Sequence, residues 1–139
     1  MLLGAACVGV SWLALRHRKR DDTFLPLFLT GAAGGCLLLS GFPLPEDRQW
    51  WDTSKRAAFV AGYAALFGGL NVTGTLLDPL QSGPGKALCL CFSPIVGIAP
   101  PAVALLTMAS PHDAFVWANG LGWVTLSVSL LYGRASASD

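Results

Sequence analysis

Charged residues divide the chain into five long uncharged runs, at 1–15, 23–45, 57–77, 87–112 and 114–133, which together hold three-quarters of its 139 residues. A helix rises about 1.5 Å per residue. A bilayer hydrocarbon core of about 30 Å therefore takes roughly 17–25 residues to cross. The last four runs meet that length. The first is short, but the long apolar stem of Arg16 at its end can reach the headgroups and extend the span. The pattern predicts an all-α membrane protein. It would be a single multi-pass domain of about five transmembrane helices, at about 1–15, 24–42, 57–77, 87–108 and 113–133.

The fourth span is the irregular one. Pro94, Pro100 and Pro101 lie inside it with Gly97 between them. Proline removes a backbone donor and crowds the preceding turn, and in lipid the freed carbonyls need partners within the protein. A kinked crossing helix is expected. If 87–108 is instead re-entrant, as in transporter cavities, four helices cross. Local signals mark the ends of the other spans. Asp22-Thr23 precedes the second, Asp52-Thr53-Ser54 the third, and Ser110-Pro111-His112-Asp113 the fifth, the last as a capping box with proline at the first helical position. Gln81-Ser82-Gly83-Pro84-Gly85 reads as a turn.

Composition agrees. The chain is 53% hydrophobic and 12% charged, against about 25% charged in soluble domains. That excludes a soluble fold, and also disorder, which needs low hydrophobicity and high net charge. A net charge of +1 leaves no basic excess for nucleic acid, so no nucleic-acid partner is expected. Residues 1–15 precede the basic cluster Arg16-His17-Arg18-Lys19-Arg20. A signal peptide has the reverse order, so a retained helix is expected.

Basic residues orient the bundle. One side holds Arg16, Arg18, Lys19, Arg20, Lys86 and Arg134; the other holds Arg48, Lys55 and Arg56. The positive-inside rule then predicts the N-terminus out and the C-terminus in. Trp50, Trp51 and Trp117 fall near the outer interface and Tyr132 near the inner one, the depth at which aromatic residues anchor helices. The membrane itself is not specified.

Reactive groups are sparse. No ionisable residue lies within the interior of a span, which argues against a proton relay or coupled carrier. His17 and His112 lie at helix ends, away from the depth where haem would need axial ligands. Cys7, Cys36, Cys89 and Cys91 all fall in spans as small apolar residues. Cys89 and Cys91 would project about 200° apart on a helix, so neither a metal site nor a disulfide framework is expected. Asn71-Val72-Thr73 matches a glycosylation acceptor, but deep in a span. Glu46, Asp47 and Asp52, beside Arg48 and two tryptophans, could hold a divalent ion, though mixed charges at an interface are more often solvated. No catalytic or metal-ligating residue is expected, and the chain reads as a non-enzyme. No cofactor is predicted; a lipid or a pigment is the ligand such a chain could hold.

Two polar features remain. Asn71, Thr75 and Asp78 share one face at the end of the third helix. They form a candidate polar ligand face, with interhelical hydrogen bonding as the plainer account. Asn119 is read in the same way.

The strongest pattern concerns packing. Ala57, Ala61, Ala65, Gly69 and Thr73 recur every four residues along the third helix, with partial versions at Gly31/Gly35, Ala32/Cys36/Ser40 and Ala118/Gly122. Small side chains let helix backbones approach closely in lipid. The number of such faces predicts contacts with other transmembrane subunits through the third helix, besides membrane lipids. The sequence therefore suggests a small non-catalytic subunit of a larger membrane complex; energy-converting respiratory or photosynthetic assemblies are hosts by analogy alone. A small transporter or pore is the alternative.

Overall fold

A computed structural model describes Leu25, Phe28 and residues 31–35, 51–81 and 83–136. Among these the structure is helical with no strand. Three helices are long and apolar enough to cross a membrane: α1 (Thr53–Leu77), α2 (Gly83–Thr107) and α3 (Pro111–Ala135), each of 25 residues. At about 1.5 Å per residue each reaches about 37 Å. The expected first span lies outside the described residues. Of the second, Leu25, Phe28 and residues 31–35 are described and helical.

α1 and α3 begin earlier than the apolar runs because their first turns are capped. Asp52 is the N-cap of α1; its carboxylate accepts from the Lys55 amide at 2.9 Å and from the Ser54 hydroxyl at 2.8 Å. The polar residues 53–56 therefore continue the helix beyond the apolar stretch. The Lys55 amide, then the Ser54 hydroxyl, holds the Asp52 carboxyl below its usual range. A lowered carboxyl pKa stabilises the fold above the ordinary carboxylate range, and that contribution is lost as the pH falls through the lowered value.

Ser110 caps α3 ahead of Pro111, accepting from the Asp113 amide at 3.1 Å and donating to the Asp113 carboxylate at 2.7 Å. Ser110→Ala should lower stability by about 1 kcal/mol, read as a lower thermal midpoint in detergent. Ser110→Asn, another good capping residue, should lose little. The turn between α1 and α2 is shorter than expected. Gly83, Pro84 and Gly85 already belong to α2, and Gly83 takes a positive φ of 57°, which glycine adopts without strain.

α2 is the central helix, packed along α3 and along the whole of α1. It runs through Pro94, Pro100 and Pro101 without a break, so residues 87–107 form part of one unbroken helix long enough to cross a membrane. In its middle, Gly97 provides a notch. A Cβ there would lie 2.7 Å from the Ala64 carbonyl oxygen and 3.1 Å from the Gly68 amide. At the same crossing α1 changes to a π-helical turn, Ala64–Gly68. Such a turn carries one extra residue within an α-helix.

The core lies along one line of α1. Tyr63, Phe67, Asn71 and Thr75 are buried. Phe67 lies over Gly122 of α3, where any Cβ would collide with its ring. Trp51, Phe59, Tyr63 and Phe115 form an aromatic cluster at the end where α1 and α3 start.

Candidate functional site

At the other end of the bundle, α1 finishes beside the end of α3 and the start of α2. This is where the polar residues gather. Asn71 and Thr75 are 0% exposed, Asp78 2% and Gln81 4%. Asn71 Nδ2 donates to the Cys89 carbonyl and to Ser93 Oγ, both at 2.8 Å. Ser93 Oγ donates in turn to the Cys89 carbonyl at 3.2 Å. The Asp78 carboxylate is held bidentately by Arg134, with Nε at 2.7 Å and Nη2 at 2.9 Å, and also accepts from the Leu80 amide at 3.1 Å. Gln81 Nε2 donates to the Leu130 carbonyl at 3.2 Å. Cys89 Sγ donates to the Ser129 carbonyl at 3.0 Å. The Gln81 amide oxygen and the Cys89 sulfur both lie over Gly133, where a Cβ would displace them.

The three residues of the candidate polar face thus have different roles. Asn71 joins α1 to α2. Asp78 is neutralised by Arg134, which fixes the end of α1 to the end of α3. Thr75 Oγ1, Asn71 Oδ1 and Gln81 Oε1 are buried with no hydrogen-bond partner among the described residues. Ser129 Oγ, at the edge of this layer, is unpartnered as well.

Sequence reasoning passed over Gln81, Ser93 and Arg134. Gln81 reads only as a turn residue and Arg134 only as one of the basic charges that orient the bundle, and Ser93 is not singled out. The available signal was topological: in an up-down-up arrangement the end of α1 and the end of α3 lie side by side, so Asp78 and Arg134 share one end.

The predicted ridge takes the opposite face of α1. Ala57, Ala61, Ala65, Gly69 and Thr73 are all exposed, and a Cβ on Gly69 would meet nothing within 4 Å. The close approach to α2 is made by Ala64 and Gly68 instead, one residue off the ridge. On α3, Ala118 and Gly122 are buried in the core, and Ala32 is buried while Gly31 is exposed. Asn119 is buried, and its Nδ2 donates to the Phe115 carbonyl of its own helix at 2.9 Å.

Between α2 and α3 lies an apolar groove of about 490 Å³, lined by Leu88, Phe92, Ile95, Val124, Val128 and Tyr132 among others. Cys89 is buried and Cys91 exposed, on opposite faces of α2. Asp52 is occupied as a helix cap; the neighbouring Glu46, Asp47 and Arg48 lie outside the described residues, as do His17, Cys7 and Cys36.

No family model matches this chain, and neither does any curated protein or solved structure.

Proposed function

We propose that this chain is a small non-catalytic, multi-pass subunit that packs within a larger membrane complex through the exposed ridge of α1. One observation carries the reading. Five small residues, Ala57, Ala61, Ala65, Gly69 and Thr73, run along the face of α1 turned away from its own core. Lipid gives no hydrophobic contrast between helices, so association depends on close backbone packing, and this face suits a second helix. The titratable groups of the polar layer also serve the fold, since Asp78 and Arg134 neutralise each other. Five crossings with the N-terminus out and the C-terminus in remain our reading of the charge distribution. Lipid chains in the α2–α3 groove complete the proposed set of partners. An energy-converting complex is a host by analogy alone.

Gly69→Leu tests the ridge. The position is open, so the isolated chain should keep its thermal midpoint while the fraction recovered in its complex falls several-fold. Leu66→Ala, beside the ridge, should be milder. Normal assembly of Gly69→Leu refutes the reading.

The alternative, a small transporter or pore, draws support from the unpartnered oxygens of Asn71, Thr75 and Gln81 inside the bundle. Native mass measurement separates the two: a subunit co-isolates with different chains, a pore with copies of itself.

A further inference from the structure

The groove between α2 and α3, of about 490 Å³, has two walls of exposed side chains at helical spacing: Leu88, Phe92 and Ile95 on α2, and Val124, Val128 and Tyr132 on α3. Residues three and four apart share a helix face, so each row makes a continuous rim. The floor between the rims, Cys89, Val96, Thr125 and Ser129, is buried or half-buried. Its polar atoms are occupied or covered. The Cys89 thiol donates to the Ser129 carbonyl and the Thr125 hydroxyl to the Leu121 carbonyl of its own helix, both at 3.0 Å, and Ser129 Oγ is buried. The groove surface is therefore almost wholly apolar, and no charged residue lines it. Its extent is specific as well. The lining begins at Leu88 and Tyr132 and stops at Val96 and Val124. Ile95 and Trp123 are the midpoints of the two helices, Gly83–Thr107 and Pro111–Ala135. The groove thus follows one half of the bundle, the half that ends at the Asp78–Arg134 pair. At about 1.5 Å per residue it is about 12 Å long, against about 15 Å for one leaflet of a hydrocarbon core.

We propose that this groove holds one acyl chain of a glycerolipid from the leaflet on the Arg134 side, lying along the helices with its methyl end at Ile95 and Val124. The inference rests on the lipid partner named above and is independent of the ridge of α1. The groove is continuous with the lipid-exposed surface of two membrane-length helices. A partner's transmembrane helix would meet both leaflets, whereas this groove ends at the midplane. Lipid tails are as apolar as the groove, so hydrophobic contrast does not hold the chain. Dispersion contacts do, because a chain between two rims is touched on three sides and an unfilled groove forfeits those contacts. Tyr132 stands at the shallow end, the depth at which amphipathic rings meet the headgroup region. With no charge in the lining, the chain and not the headgroup is recognised.

Photocrosslinking of the unmodified full chain in phosphatidylcholine nanodiscs tests this. The probe is a trace of phosphatidylcholine, or of phosphatidylglycerol, with a diazirine at the end of one acyl chain. Crosslinks should concentrate several-fold at 92–96 and 124–128 over Leu106, which is exposed on the other half of α2, and equally for the two headgroups. Labelling no stronger in the groove than at Leu106 overturns the proposal, since the groove then meets only bulk lipid. A groove shielded from the probe overturns it too, because a protein segment then fills it. Enrichment with one headgroup alone refutes recognition by the chain. Thr125→Phe fills the floor without removing a bond between helices, since the Thr125 hydroxyl bonds only within α3. The enrichment should fall to the Leu106 level in this variant and persist in Thr125→Val. Persistence in Thr125→Phe means that the chain lies elsewhere. Gly69→Leu, on the ridge of α1, should leave the enrichment unchanged, so failure of the subunit reading and failure of this one give different results.

Discussion

Arg134→Ala should be the most damaging single charge change in the chain. It leaves the Asp78 carboxylate, 0% exposed at its side chain, without the guanidinium that binds it through two bonds of 2.7 and 2.9 Å. Removing one partner of a buried ion pair typically costs about 3–5 kcal/mol, because the remaining charge is buried and uncompensated. Replacing both partners with apolar residues of similar size is often neutral. The double variant Asp78→Leu/Arg134→Met should therefore be more stable than Arg134→Ala alone. Unfolding of the unmodified protein, Asp78→Leu, Arg134→Met and the double variant in mixed detergent gives the coupling directly. If Arg134→Ala melts with the unmodified protein, the pair does not hold α1 to α3.

Gly97→Ala should have a comparable effect with no charge involved. The added Cβ would meet the backbone of α1, the Ala64 carbonyl oxygen at 2.7 Å and its Cα at 3.0 Å, and backbone cannot relax by changing rotamer. Overpacking typically costs about 1–3 kcal/mol, and the upper end applies here. Gly69→Ala provides the contrast on the ridge of α1. Its Cβ enters open space, and replacing glycine within a helix gains up to about 1 kcal/mol of propensity. The two variants should therefore shift the midpoint in opposite directions. A Gly97→Ala protein as stable as Gly69→Ala would mean that α1 and α2 do not cross at this notch.

The ridge shows how far a spacing pattern reaches. Small residues every fourth position identify a face on which close approach is allowed. Two such lines lie on α1: Ala64 and Gly68 meet Gly97, whereas Ala57, Ala61, Ala65, Gly69 and Thr73 face outward. The lines differ by one residue, and sequence alone offers no reason to prefer either as the contact with α2. The choice is made by the shape of α2, where the side chain is absent at Gly97, and by the π-helical turn at the same crossing.

By itself the sequence determined the membrane class, the three long apolar helices, and the caps at Asp52 and Ser110. These depend on interactions within a few residues and on transfer of apolar side chains from water, both of which are written along the chain. Tertiary structure alone decided that Asp78 pairs with Arg134, and that Gln81 and Ser93 join Asn71 in one buried layer. Those partners come from different helices, as far apart as Asp78 and Arg134. Which polar groups meet depends on how the helices cross and rotate against one another, and no local spacing in the sequence specifies that.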